Sequence, residues 1–236
     1  MRDLVVVIPV YNEADCIDAV AHSWLDMLNR LGMSFTLLLI NDGSKDRTEE
    51  KLQILVDHPR ARILSKANEG HGPTILKGYR LACADSTWVF QVDSDDEISA
   101  DFFPELWAKR SEVDCVFGIR QGRKQTGGRR LLSGGSRLLI RLLCGDGVFD
   151  VNVPFRLIRS ECLSPMLDCL PPDMFAPNVA ISGLAQRRGL RIANVPVMNR
   201  ERRTGATSLV SWGVIRVGLL SMVQVGRVLL KDRMNK

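Results

Sequence analysis

Aromatic residues are scarce in this 236-residue chain: phenylalanine, tryptophan and tyrosine together make up 6%. No array of aromatics interleaves with basic residues, so base-stacking recognition of nucleic acid is not expected despite the net charge of +5. The six cysteines (Cys16, Cys83, Cys115, Cys144, Cys162 and Cys169) form no Cys-x-x-Cys pair, and buried free thiols in a reducing compartment are expected. No basic n-region precedes the first apolar run, so a secretory leader is not expected. Neither a Walker loop nor a Gly-x-Gly-x-x-Gly turn after a strand is present, which excludes those two phosphate cradles. No internal repeat or low-complexity segment occurs.

What is present is an ordinary globular composition, 45% hydrophobic and 25% charged, consistent with one α/β domain around a sizeable core. The positive charge leaves a membrane surface or a phosphate-rich substrate as partner classes. Leu4–Val10 is a near-continuous apolar run, as in a strand buried on both faces of a parallel sheet. Tyr11-Asn12-Glu13 turns it into a helical pattern, roughly 14–31, that stops at Gly32. A second buried strand, 35–40, ends in Asn41-Asp42-Gly43-Ser44-Lys45-Asp46, where Asp46 or Ser44 would cap the next helix. A third strand, 62–65, leads through Asn68-Glu69-Gly70-His71-Gly72-Pro73 into a helix over 74–84. Glycines before a helix let backbone N–H groups approach an anion. A helix over 101–111 and a strand over 114–119 continue the alternation that marks a parallel sheet.

The strand 88–92 ends in Asp93, Asp95, Asp96 and Glu97. Clustered like charges resist burial and call for a cation nearby. A hard divalent ion shared with substrate phosphates would meet that need; a solvated acidic turn before a helix is the plainer reading of the same residues. Polar loops at successive strand ends are likewise either ordinary turn chemistry or the carboxyl-edge site of an open α/β sheet.

Ile8-Pro-Val-Tyr-Asn-Glu13, Asn41-Asp-Gly-Ser44, the glycine segment 68–78 and Asp93-Ser-Asp95 occur in an order and spacing that resemble the inverting GT-A glycosyltransferases of family 2. In the second half, Gly118-x-Arg120, Arg129-x-x-x-Ser133, Asp150-Val-Asn-Val-Pro-Phe-Arg156 and Arg202-x-x-Gly205-x-Thr-Ser208 are similar to the dolichyl- and polyprenyl-phosphate sugar synthase branch. The resemblance implies a GT-A fold, a mostly parallel sheet with flanking helices, over residues 1–208. It implies that Pro9, Tyr11, Glu13, Asp42 and Gly70 surround a nucleotide sugar, a GDP- or UDP-sugar. Asp93 and Asp95, with Glu97 beside them, would hold Mg²⁺ or Mn²⁺ and the diphosphate. Arg120, Arg129 and Ser133 would hold the phosphate of a dolichyl or undecaprenyl acceptor, and Arg202 would meet the donor diphosphate. The chain departs from that pattern at Pro154, where relatives have glycine, at His71, where a basic residue is common, and after Ser208, which no lysine follows.

Two further expectations concern chemistry and place. A hydroxyl acceptor needs a positioned carboxylate as general base, supplied in such relatives by a Glu-Asp pair, and this chain has none. Asp173 is the nearest substitute, with capping of a helix near Ala176 as its plainer role. A phosphate acceptor needs cations instead. A hydroxyl-acceptor enzyme of the same family and a non-catalytic nucleotide-sugar module remain as alternatives. A nucleotidyltransferase is disfavoured, because no Gly-rich, Arg-bearing loop follows the first strand. Residues 209–236 read as an amphipathic helix, too interrupted by Arg216 and Arg227 to span a bilayer. Arg216, Gln224, Arg227 and Lys231 share one face, which suits either a membrane surface or packing against the domain or an integral membrane partner. The expected location is therefore the cytoplasmic face of the membrane, as a peripheral protein.

Overall fold

The computed structural model describes residues 1–122, 127–200 and 212–234, with the side chains at 127–133, 136, 212–217, 219, 233 and 234 outside the description. The first half alternates strand and helix: β1 (Arg2–Val10), α1 (Ile17–Arg30), β2 (Phe35–Asp42), α2 (Thr48–Gln53), β3 (Ala61–Lys66), α3 (His71–Asp85) and β4 (Ser86–Val92). After it come α4 (Phe103–Ala108), β5 (Cys115–Gln121), α5 (Gly127–Cys144), β6 (Phe155–Arg159), α6 (Ser160–Leu167), α7 (Pro177–Arg187), β7 (Ile192–Met198) and α8 (Trp212–Met234). The seven strands form one sheet in the order β3-β2-β1-β4-β6-β5-β7. All neighbours run parallel except β6, which is antiparallel to both β4 and β5.

The buried runs of β1 and β2 explain the centre of this sheet, since helices cover both of its faces and leave no solvent side for polar alternation. On one face Trp24 of α1 and Phe103 of α4 pack with Phe90 of β4 and Phe155 of β6, ring centroids 4.8–6.1 Å apart. On the other, α3 lies so close that a Cβ at Gly78 would overlap Val7 Cγ1 and come within 2.9 Å of Ile40 Cδ1. That contact explains a glycine in mid-helix, where it costs about 1 kcal/mol relative to alanine. Gly78→Ala is therefore expected to destabilise by roughly 1–3 kcal/mol through overpacking, despite the better helix former. A urea midpoint higher than wild type would refute that account.

Several boundaries differ from the sequence expectation, each for a local reason. The helix after β1 begins at Ile17 because Glu13–Cys16 form a turn, with Glu13 O accepting from both Cys16 N and Ile17 N. The helix after the glycine segment starts earlier, at His71, because Gly70 takes a φ of +97° and turns the chain straight into it. The stretch 101–111 is broken, with 3-10 turns on either side of a single α-helical segment. The cap position of α2 falls to Arg47, which makes no side-chain cap bond; Asp46, one residue earlier, accepts from Thr48 N at 3.0 Å, and Ser44 bonds Asn12 and Asn41. Asp173 does not cap α7: it is exposed, and the residue at that cap, Ala176, makes no side-chain bond. Of the cysteines, all free, only Cys115 is fully buried; the other five are half-buried, because they sit at element ends and helix edges.

α8 packs on α5 and α7 with Ser221, Val225, Val228, Leu229 and Asp232 inward. Arg187 donates to Leu229 O, and Arg188 pairs with Asp232 at 2.9 Å. Among the described residues no helix is long and apolar enough to cross a membrane. The outer face carries Arg227 and Lys231, as the wheel predicted, but beside exposed Leu220, Val223 and Leu230. Arg216 lies outside the described side chains. Gln224 is drawn inward, accepting from Phe175 N at 3.2 Å.

Candidate functional site

The loops after β1, β2 and β4 and the start of α3 meet at one edge of the sheet, the carboxyl ends of its parallel strands. Each loop turns through a left-handed residue: Asn12 (φ +53°), Gly43 (+66°), Gly70 (+97°) and Asp96 (+55°). Asparagine, aspartate and glycine tolerate that region best. Gly43 is further fixed by crowding, since a Cβ there would lie 2.8 Å from Asn68 N.

Hydrogen bonds join the first two loops. Asn12 N donates to Ser44 Oγ (3.0 Å), Lys45 N to Asn12 Oδ1 (2.8 Å) and Glu13 N to Thr48 Oγ1 (2.8 Å). Asp42 closes the second loop onto α3. Its carboxylate accepts from Glu69 N and Gly70 N, each at 2.9 Å, and pairs with the buried Lys66 ammonium. The expected nucleotide contacts at Asp42 and Gly70 are thus joined to each other. Pro9 is buried in β1, Glu13 is nearly so, and Tyr11 is 38% exposed at the rim. The Cys16 Sγ lies 3.2 Å from Glu13 Oε2 and 3.4 Å from Ser94 O, its one proton shared between two acceptors, and so links this cradle to the acidic loop.

That loop carries Asp93, Asp95 and Glu97, all half-buried. Asp93 Oδ1 accepts from Gln91 Nε2 at 2.9 Å, and His71 Nε2 lies 3.4 Å from the same oxygen. Asp95 Oδ1 accepts from Glu97 N at 3.2 Å. Arg200 N donates to Glu97 O (2.7 Å), and Ile98 bridges Asn199, so the chain after β7 begins at this loop. Among the described residues no group of three or more His, Cys, Asp or Glu is arranged to hold a metal by itself; Asp93, Asp95 and Glu97 do not converge as one ligand set. A pair of hard carboxylates that leaves most positions to phosphate and water is the donor set Mg²⁺ or Mn²⁺ takes in nucleotide sites.

Arg120, at the end of β5, makes a bidentate pair with Asp150: Nε to Oδ2 at 2.7 Å and Nη2 to Oδ1 at 2.9 Å. Burial works to lower its pKa, but the Asp150 bonds and the charges of Asp93 and Glu97 outweigh it and hold the guanidinium above its ordinary value. Arg120 is therefore a permanent cation facing the acidic loop, with Asp150 already on it. Arg129 and Ser133 fall on α5, with their side chains outside the description, and Arg202 lies outside the described residues altogether.

Sequence reading gave no site role to His71, Gln91, Cys16 or Asn178. His71 stood out only as a departure from a family pattern, yet it faces Asp93. Gln91 gave a signal that could have been used: a polar side chain inside an otherwise apolar central strand.

Residues 5–164 match the family model Glycosyl transferase family 2. The undecaprenyl-phosphate 4-deoxy-4-formamido-L-arabinose transferase of Pectobacterium atrosepticum is 27% identical over 211 residues, 88% of this chain and 62% of that protein. The protein of the same name from Edwardsiella ictaluri is 29% identical over 204 residues, 85% of this chain and 61% of its own. The chain thus spans about three-fifths of the length of these curated relatives. Among solved structures, glucosyl-3-phosphoglycerate synthase from Mycobacterium tuberculosis with Mn²⁺, UDP and phosphoglyceric acid superposes with a TM-score of 0.69 at 22% identity, covering 98% of this chain and 78% of that one. The same enzyme with Mn²⁺ and UDP-glucose gives 0.67 at 19%, covering 97% and 79%. The sheet with its single reversed strand is thus a GT-A-like fold, and with more than half of its length matched by the family model, the chain belongs to glycosyl transferase family 2.

Proposed function

We propose that this chain transfers one sugar from a nucleoside-diphosphate sugar, a GDP- or UDP-sugar, to a polyprenyl phosphate, with inversion. The observation that carries the reading is the meeting of Asp93 with His71 at the α3 N-terminus, and of Asp93 and Glu97 with the charge of the Arg120 guanidinium, at one sheet edge. The relatives named as undecaprenyl-phosphate sugar transferases support the acceptor class. The Mn²⁺, UDP and UDP-glucose named in the neighbouring structures support the donor class.

In this reading Tyr11, Glu13 and Asp42 surround the nucleoside, and Asp93 and Asp95 hold Mg²⁺ or Mn²⁺, which supplies charge neutralisation for the departing diphosphate. Glu97, which does not converge with them as one ligand set, lends its charge to Arg120 instead. Arg120, Arg129 and Ser133 hold the acceptor phosphate, whose own charge makes a general base unnecessary. Arg202 completes the diphosphate contacts.

The exposed apolar side chains of α5 (Leu138 and Leu142) and α8 (Leu220, Val223 and Leu230), with Arg137, Arg141, Arg227 and Lys231 among them, form the surface by which the protein rests on the cytoplasmic face of a membrane. An integral membrane partner would use the same surface.

Incubating the protein with labelled GDP- and UDP-sugars, Mn²⁺ and undecaprenyl or dolichyl phosphate in anionic vesicles tests the whole scheme. Label should enter the lipid, and replacing the lipid phosphate by the free polyprenol should abolish it. The double variant Arg227→Gln/Lys231→Gln should bind the vesicles about thirtyfold more weakly, at roughly 1 kcal/mol per surface cation. Transfer to the free alcohol at an equal rate would move the assignment to a hydroxyl-acceptor enzyme.

A further inference from the structure

Four polar side chains lie in line beneath Asp93, each at most 3% exposed: Gln91 on β4, Asn178 on α7, Tyr79 on α3 and Arg156 on β6. Tyr79 Oη donates to Asn178 Oδ1 at 2.9 Å, Asn178 Nδ2 donates to Gln91 Oε1 at 3.0 Å, and Gln91 Nε2 donates to Asp93 Oδ1 at 2.9 Å. The Arg156 guanidinium braces the relay at Asn178, donating to that residue's main-chain oxygen and to the carbonyls of Val153 and Val151 rather than to a carboxylate.

The direction of every bond in this chain follows from its exposed end. An ionised carboxylate only accepts, so Gln91 must present its amide nitrogen to Asp93 and its oxygen to Asn178. Asn178 then offers its nitrogen to Gln91 and its oxygen to Tyr79. Tyr79 must donate, and burial pushes its phenol pKa up, so it keeps its proton. One orientation of both amides therefore makes all three bonds that join Tyr79, Asn178, Gln91 and Asp93. Packing alone does not call for this arrangement. A valine at position 91 would suit a central strand, and buried polar groups are costly unless each is satisfied. Gln91 and Asp93 are two residues apart and share a face, so a polar residue at 91 is placed to steer the first carboxylate of the acidic loop.

We infer that Gln91, oriented by Asn178 and Tyr79, is a positioning residue that fixes the Asp93 carboxylate so that its other oxygen is presented to the metal-diphosphate. The inference rests on the metal-diphosphate reading proposed above. Outer partners of metal ligands set metal affinity by about ten- to a hundredfold, and a relay adds a feature that an independent anchor lacks: its links act as a unit.

The test is Mn²⁺ titration of the full chain, followed by electron paramagnetic resonance, with whichever of UDP or GDP raises the wild-type melting temperature more. Gln91→Met keeps the shape and removes both bonds; it should weaken Mn²⁺ binding about tenfold or more. Tyr79→Phe removes one oxygen at the far end of the relay and should weaken it severalfold. In the Gln91→Met background, Tyr79→Phe should have no further effect on Mn²⁺, even where it lowers the melting temperature again. If Gln91→Met fails to fold, Tyr79→Phe carries the test alone. Wild-type affinity in the variants, or effects that simply add, would overturn the relay while leaving the metal site standing. A wild-type chain that binds Mn²⁺ with neither nucleotide would overturn the metal reading and the relay together.

Discussion

Asp95→Asn is expected to leave the protein folded and to remove its metal-dependent turnover of nucleotide sugar. The fold should survive because the substitution deletes one of several like charges crowded between residues 93 and 97, and because asparagine Oδ1 can still accept from Glu97 N. Turnover should fall by roughly 10²–10³ or more, the scale seen when one preorganised charge-stabilising group is removed from a reacting centre. Chelation of wild type with EDTA should have a comparable effect, and chelating the variant should add little. Normal turnover by Asp95→Asn, with activity surviving in EDTA, would remove the acidic loop from the chemistry.

The second large effect separates the acceptor classes. Arg129→Ala should raise KM for the lipid phosphate by about 10- to 100-fold, corresponding to ~1.5–3 kcal/mol for a hydrogen bond to a charged group. Asp173→Asn should retain most activity. Since Asp173 is exposed and caps no helix, a structural loss cannot disguise the outcome. Its loop does lie beside the site, where a Cβ at Gly72 would come within 2.6 Å of Phe175 O, so Asp173 remains the carboxylate to examine as a base. A collapse of kcat in Asp173→Asn with unchanged acceptor KM would make the acceptor a hydroxyl. Arg120→Ala is a poorer probe, because it would also remove the bidentate Arg120–Asp150 pair.

Much of the left half of the sheet is legible in the sequence because burial on both faces writes itself as uninterrupted apolar runs, as in Leu4–Val10 and Leu37–Ile40. The polar residues ending those runs were equally plain, since few groups other than ligand or turn residues occupy strand ends. Element ends were less so. Gly70 looks like a loop residue, but its positive φ makes it the hinge on which α3 begins. β6 was read only as part of a motif, because Phe155–Arg159 is short and its arginines look like surface residues. Arg156 is nevertheless fully buried, and Arg159 stacks its guanidinium 4.6 Å over Trp88. The Gln91–Asn178 bond joins residues 87 apart in the chain; no local pattern encodes it. The Arg120–Asp150 pair, between residues 30 apart, was hidden for the same reason.

The reversed strand β6 also has a consequence for how the chain is made. As it emerges from the ribosome, β3, β2, β1 and β4 can assemble from residues 1–92 alone, but the far edge of β4 finds its partner only when Phe155–Arg159 appears. Until then Trp88–Val92, paired to β1 on one side only, is a largely apolar edge strand, the kind of surface on which nascent chains aggregate. A fragment ending between β4 and β6 keeps that edge open permanently. Truncated forms used for expression should therefore include β6, although every residue of the acidic loop lies upstream of it.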